Sequence, residues 1–472
     1  MEKKNTWETY SSKQLKELEK INAKYRDFLD NGKTERECID TIVNTIEKSG
    51  YRELESLIKE GAALKTGDKV YSVWMNKSIA MFQIGRKPMT EGMNILGAHI
   101  DSPRLDVKQN PLYEDGGFAY LDTHYYGGVK KYQWVTIPLA IHGVIVKKNG
   151  TCVEINIGEN EDDPVFFVSD LLIHLAQEQL EKKAAKVIEG EALDIIVGNK
   201  PLLIDKKDKK KDEKEAGKEA VKAGVLDILK ETYDIREEDF VSAELEIVPA
   251  GKAREAGFDR SMTLAYGQDD RVCAYTSMQA MLDSDVTERT MCCILVDKEE
   301  IGSVGATGMQ SHFFENAVAE VMNLTGEYSE LHVRRCLAHS CMLSSDVSSA
   351  FDPTYASSFD KKNVAYLGGG MVINKFTGAR GKSGSNDANA EYLAHLRHIF
   401  GKAEVNFQTA ELGKVDLGGG GTIAYILALY GMNVIDSGVA VLNMHAPWEA
   451  TSKADVYETY RGYKAFVEGA SL

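Results

Sequence analysis

Five short stretches carry the side chains best suited to chemistry. In Gly97-Ala98-His99-Ile100-Asp101-Ser102-Pro103-Arg104, His99 and Asp101 are two apart and face the same way in extended backbone. Asp101 could then accept the second ring N–H of a metal-bound His99, fixing its tautomer and raising its basicity. Gly267-Gln268-Asp269-Asp270-Arg271 places paired aspartates before a helix, where the macrodipole alone would favour them. The functional alternative has Asp269 bridging two metals, oriented by Asp270 or Arg271. The apolar run 291–296 leads into Asp297-Lys298-Glu299-Glu300-Ile301-Gly302-Ser303. Of two adjacent glutamates at the end of a buried strand, one can bind a metal while its neighbour takes a proton from the water the metal activates. Asp346, in Ser344-Ser345-Asp346-Val347, and His445, in Asn443-Met444-His445-Ala446-Pro447-Trp448-Glu449, also follow apolar strands. Each stretch alone has a bland alternative as a turn, a cap or a hydrogen-bonded core histidine.

The elements that must position these residues read as α/β. Open α/β sheets gather ligands at the carboxyl ends of their strands, so five such positions on one edge count together. Thr34 and Glu37 form a capping-box pattern, after which Cys38, Ile39, Ile42, Val43 and Ile46 share a helical face and Gly50 ends the helix. Strands are expected over 69–74, 78–84, 93–99, 291–296, 336–344 and 438–444. Helices are expected over 271–282, 310–323, 385–400, 422–429 and 452–467. That alternation predicts a mainly parallel sheet flanked by helices. Between 113 and 243 the texture changes: 133–146 and 151–157 alternate like antiparallel strands, and one amphipathic helix is expected over 169–183. The lysine- and acid-rich stretch 205–222 reads as a solvated excursion. The domain expectation is a catalytic domain in two parts, 1–108 and 244–472, with a β-rich insertion over 109–243. Two histidines with three carboxylates suit a dinuclear zinc site with one carboxylate shared.

The chain of 472 residues is 43% hydrophobic and 27% charged, ample for a buried core. Seventy-two acidic against 56 basic residues give a net charge of −16, the wrong sign for nonspecific nucleic-acid or anionic-membrane binding. No apolar run approaches the ~20 residues of a membrane helix. Met1-Glu2-Lys3-Lys4-Asn5-Thr6 does not open a signal peptide. Seven cysteines at irregular spacing, without a Cys-x-x-Cys pair, argue for reduced core thiols in the cytoplasm and against zinc fingers or disulfides. Cys292 and Cys293 are expected to face opposite sides of one strand.

Taken together, Gly-Ala-His99-Ile-Asp101-Ser-Pro-Arg-Leu-Asp, Asp269-Asp270-Arg, Glu299-Glu300-Ile-Gly-Ser, Ser-Asp346 and Asn-Met-His445 resemble the aspartyl aminopeptidase family of dinuclear zinc metallopeptidases. The resemblance spans nearly the whole chain, and Gly418–Thr422 with the following helix fits it too. It implies a zinc-exopeptidase-like catalytic domain with an inserted dimerisation domain, and dimers assembled into a tetrahedral dodecamer. It implies that His99 and Asp346 hold one metal, Glu300 and His445 the other, and Asp269 both, with Zn2+ as the metal and Co2+ or Mn2+ as substitutes. Glu299 would be the general base and Asp101 the partner of His99. His174 matches a histidine that reaches a neighbouring active site and polarises the substrate carbonyl. Lys375, in Met371-Val372-Ile373-Asn374-Lys375, lies where a first-residue pocket is expected, with Arg380 and Lys382 as alternative sources of positive charge for an acidic substrate residue. Ser349, Asp352 and the Ala-Pro-Trp-Glu run after His445 depart from better-studied members. The expected activity is release of an N-terminal residue from peptides. The rivals are an amidase or deacylase on the same metals, and an inactive peptide-binding scaffold.

Overall fold

The computed structural model describes residues 5–202, 219–378 and 380–471. The N-terminal tetrapeptide and most of the 205–222 stretch lie outside the described residues. By contacts the chain forms two units, one of Met1–Ser102, Ala253–Met444 and Trp448–Leu472, the other of Pro103–Lys252 and His445–Pro447.

The first unit is built on a nine-stranded sheet: β1 Arg52–Glu53, β2 Lys69–Trp74, β3 Ser78–Gln83, β4 Met93–His99, β5 Thr290–Val296, β6 Cys341–Ser345, β7 Met371–Asn374, β8 Phe407–Thr409 and β9 Asn433–Gly438. Their spatial order is β1-β2-β3-β5-β4-β6-β9-β7-β8. The four central strands, β5-β4-β6-β9, run parallel; β3 and β7 join them antiparallel, so the sheet is mixed at its flanks. The central strands are buried throughout except at Asn433, the first residue of β9, as a sheet covered on both faces requires. Alternation along β5 sends Met291, Cys293 and Leu295 into the core on one face, and Cys292, Ile294 and Val296 into the core on the other. The two adjacent cysteines thus part as expected, and all seven cysteines are free thiols, six of them buried; Cys152, on an edge strand of the second unit's sheet, is exposed and not a core residue.

Helices cover each face. Ser12–Asn31, Glu35–Glu47, Gln268–Leu282, Ala390–Lys402 and Lys453–Gly469 pack on one side, and Leu54–Glu60, Phe313–Leu324 and Glu330–Ala338 on the other. The expected capping box at Thr34 is present, its hydroxyl accepting from Glu37 N while Glu37 accepts from Thr34 N at 3.1 Å. Asn94 Nδ2 donates to Val467 O and Ala470 O, both at 3.0 Å, tying β4 to the last helix. A five-stranded sheet, ordered Arg254–Ala256, Met262–Ala265, Glu449–Ser452, Ala440–Leu442 and Ser348–Ser349, lies in the same unit.

Three expectations fail for physical reasons. Cys336 belongs to the helix Glu330–Ala338, where Ser329 caps His332 N and Val333, Cys336 and Leu337 recur at helical spacing; the strand begins at Cys341. The run 438–444 is two strands, β9 ending at Gly438 and Ala440–Leu442 pairing in the smaller sheet. The helix placed over 169–183 is a 3-10 turn, Ile173–Leu175, and a single turn of α-helix, Gln177–Leu180. Its apolar face lacks a packed core, with Leu172 54% and Ile173 66% exposed, and a short helix without packing is marginal.

The second unit holds a wholly antiparallel six-stranded sheet, ordered Cys152–Ile157, Leu139–Val146, Ala243–Pro249, Arg104–Asp115, Phe118–Tyr126 and Ile195–Gly198. Among the described residues no helix is long and apolar enough to cross a membrane.

Candidate metal centre

β4 delivers His99 as its last residue, buried, and the parallel register sets it beside Val296 at the end of β5. Its Nδ1 lies 3.0 Å from the backbone carbonyl of Asp101 and 3.2 Å from Asp101 Oδ1. That arrangement fixes the proton on Nδ1 and leaves Nε2 to face outward from the strand end. Nε2 lies 3.2 Å from Asp269 Oδ1 and 3.9 Å from Glu299 Oε2.

Asp269 stands in the first turn of Gln268–Leu282, behind Gly267, whose φ of +67° and contact with Arg271 suit only glycine. The Asp269–Asp270 peptide bond is cis. Ser102 Oγ donates to Asp269 O at 2.7 Å, and Asp269 N donates to Glu449 Oε2 at 3.1 Å. The functional alternative in the sequence names Asp270 or Arg271 as the orienting group, which the spacing alone does not decide. Arg271 donates to Lys33 O at 2.6 Å and lies over the Tyr266 ring, so it anchors the helix start. Ser102 and Glu449 are the residues missed, although both stood inside stretches singled out for a neighbour.

Glu299 and Glu300 open a 3-10 turn after β5, bounded by left-handed Lys298 and Gly302. Asp101 holds this turn: its Oδ1 and Oδ2 accept from Glu299 N and Glu300 N, each at 3.1 Å. One carboxylate therefore positions the ring of His99 and the backbone of both glutamates. Asp346 follows β6 and donates its N–H to Ser437 O at 3.1 Å. A side chain at Gly438 would strike the Asp346 carbonyl, so glycine there lets β9 close beside it.

The metal-capable atoms of His99, Asp269 and Asp346 lie within 4.8 Å of one another. Burial pushes the carboxyl of Asp346 well above the usual range, with Glu299, Asp269 and Asp270 adding like-charge repulsion and His99 opposing it. Asp270 is raised in the same direction, first by burial and then by Asp269, again against His99. Buried carboxylates crowded this closely are costly unless a cation is shared among them. One imidazole nitrogen and several carboxylate oxygens are a donor set that zinc accepts, so the residues present fit the ion.

The remaining expected residues are placed as follows. His445, reached through left-handed Asn443, groups with the second unit, where its Nδ1 lies 2.9 Å from Gly128 O. His174 sits on the exposed 3-10 turn of the second unit, not within a helix. Lys375 follows β7; its Nζ is 3.8 Å from Asp387 Oδ1, and Lys382 meets the same carboxylate at 2.8 Å. Antiparallel pairing of Asn374 with Asp436 carries β7 away from the edge where Asp346 lies.

Residues 28–467 match the family model described as aminopeptidase I zinc metalloprotease (M18). A Clostridium acetobutylicum protein described as probable M18 family aminopeptidase 1 is 63% identical over 466 residues, 99% of this chain and 98% of its own. The crystal structure of a Thermotoga maritima M18 aminopeptidase superposes with a TM-score of 0.92 at 44% identity, covering 100% of both chains. The S. cerevisiae mApe1 dodecamer shares the fold at 20% identity, with a TM-score of 0.74 over 95% of this chain and 96% of that one. With the metal-capable cluster at the carboxyl ends of the central strands, these likenesses show that the chain belongs to the M18 family of aminopeptidases, which are zinc metalloproteases.

Proposed function

We propose that this enzyme releases single residues from peptide N-termini with two zinc ions per subunit. His99 and Asp346 would hold one with Asp269, whose metal-capable atoms lie together, and the family resemblance would give the other to Glu300 and His445, with Asp269 shared. Bound there, zinc would polarise the scissile carbonyl and lower the pKa of the attacking water. Glu299 would take the proton of that water and return it to the departing amine. Asp101 supports this role by gripping the backbone of both glutamates, which leaves the Glu299 carboxylate to face the site from a fixed turn. Glu299 and Asp346 would also anchor the free α-amine of the substrate.

The single observation that carries the reading is the convergence of His99, Asp269 and Asp346 within 4.8 Å, with Glu299 Oε2 at 3.9 Å from His99 Nε2. The exposed apolar residues around His174, including Leu171, Leu172, Ile173 and Leu175, support contact with a second copy, through which His174 would reach a neighbouring site. The dodecameric state of the yeast relative supports extending that contact to a closed assembly, which would admit only unfolded peptides. Lys375 and Lys382 share Asp387, which favours a tolerant first-residue preference over a strictly acidic one.

The test is a panel of aminoacyl-amides with Asp, Glu, Lys or Leu first, run on chelator-stripped enzyme with zinc, cobalt or manganese restored. Metal-dependent release from free-amine substrates, and none from their N-acetylated forms, is expected. Equal cleavage of the acetylated forms would favour a deacylase, and no release with any metal would sink the proposal.

A further inference from the structure

The turn that carries Glu299 is flanked by apolar side chains the core does not use. Ile301 is 44% and Val304 51% exposed. Tyr425 and Leu429, four apart and so on one face of Ala424–Ala428 and its cap, are 36% and 81% exposed. The other side of that helix, Ala424, Ile426 and Leu427, is packed into the core, so the exposure is one-sided. The two segments are tied together: Gln310 Nε2 lies 3.0 Å from Gly302 O and 3.3 Å from the Tyr425 hydroxyl. Single exposed apolar residues are ordinary, but the Gln310 tether brings the Ile301 turn beside Tyr425, so exposed apolar residues cluster along two joined segments next to the turn that carries Glu299.

The chemistry says what would meet it. When an N-terminal residue is released, the departing nitrogen belongs to the second residue of the peptide. A general acid that protonates this nitrogen must lie within hydrogen-bond reach of it. The second residue therefore passes beside Glu299, and its side chain projects next to the residues flanking that turn.

We propose that Ile301, Val304, Tyr425 and Leu429 form an apolar subsite for the side chain of the peptide's second residue, so that the enzyme favours substrates with a bulky apolar residue there. This inference rests on the role proposed above for Glu299.

The experiment compares kcat/KM for two peptides, Xaa-Leu-Gly and Xaa-Gly-Gly, with the first residue fixed as the best in the amide panel. The wild type should prefer the Leu peptide by about tenfold or more, since an apolar pocket discriminates side chains on that scale. Ile301→Ser and Leu429→Ser, alone and together, should bring the ratio towards one, chiefly by raising KM for the Leu peptide. Zinc content and melting temperature report that each variant is folded. A wild-type ratio near one, or a preference that survives the double substitution, overturns the proposal. A change in assembly size without a change in the ratio overturns it as well, because the patch is then a contact between subunits. Hydrolysis of the aminoacyl-amide, which has no second residue, separates the two readings. If the amide is cleaved but the ratio is flat, only the subsite fails; if the amide is untouched, the reading of the metal site fails with it.

Discussion

Two regions of this protein depart from the usual partition of residues, in opposite directions. At the carboxyl ends of the central strands the first unit buries His99, Asp101, Asp269 and Asp270. Between 165 and 180 the second unit exposes Phe167, Leu171, Leu172, Ile173, Leu175 and Leu180. Buried charge and exposed apolar surface are each unfavourable alone, and each points to a partner of matching kind. For the buried acids the matching partner would be the cation proposed above, and for the apolar segment a second copy of the protein. The buried region is over-determined, since Asp101, Ser102 and Glu449 each hold a neighbour by a named hydrogen bond. In the exposed segment, residues 166–168 are tied by backbone bonds to Leu139, Thr136 and Ile196, while beyond them Asp170 accepts from Leu171 N and Gln179 Nε2, both at 2.8 Å.

The comparison breaks most sharply at Glu299. Glu299→Gln should lower kcat by about 10²–10⁴-fold while zinc content, measured by atomic absorption, stays at the wild-type level. If zinc is lost along with activity, Glu299 is a ligand and not the base. Asp101→Asn should weaken zinc binding by roughly 10–100-fold in a chelator competition, because both His99 and the glutamate turn lose their anchor. On the apolar side, Leu172→Ser with Ile173→Ser should raise the dissociation constant of the assembly by about tenfold or more, as burial of such side chains is worth about 1.5–3 kcal/mol each. Sedimentation at graded protein concentrations checks it, and unchanged association would remove 165–180 from the interface. Lys375→Met is expected to alter KM for a Glu-amide by less than about threefold, because exposed ion pairs contribute little. A larger loss confined to acidic substrates would restore Lys375 to the pocket.

The smallest effect concerns Asp436, fully buried in β9, whose carboxyl burial pushes up to about 7 although Thr422 donates to it at 2.5 Å. With the folded-state pKa raised above an unfolded value of about 3.9, the stabilisation is complete below about pH 4 and fades as the pH rises through about 7. Asp436→Asn should therefore flatten the dependence of melting temperature on pH between about 4 and 7. A profile as steep as the wild type would assign that slope to another group.

How much was legible in the sequence follows from how local each signal is. The capping box at Thr34, the alternation along β5 and the strand ends at His99 and Val296 depend on near neighbours and were readable. The helix Glu330–Ala338 was misread because Cys336 and Leu337 suit a strand as well as a helix until the period of the whole segment is weighed. The Ser169–Lys183 stretch shows the converse: its spacing is helical, yet the described chain offers no core for that face to pack against.

By itself, then, the sequence determined which residue types stand at the ends of which strands, because strand periodicity and the glutamate, aspartate and histidine motifs are short-range features. Only the tertiary structure decided that His99, Asp269 and Asp346, separated by up to 247 positions, converge within 4.8 Å: parallel pairing of β4 and β6 sets the strand ends of His99 and Asp346 side by side, and Ser102 and Glu449 hold the helix start that carries Asp269. It also decided that Asp101 serves two masters, the His99 ring and the Glu299–Glu300 backbone, a contact spanning 198 and 199 residues. Spacing along a chain cannot encode such contacts; the register between strands does.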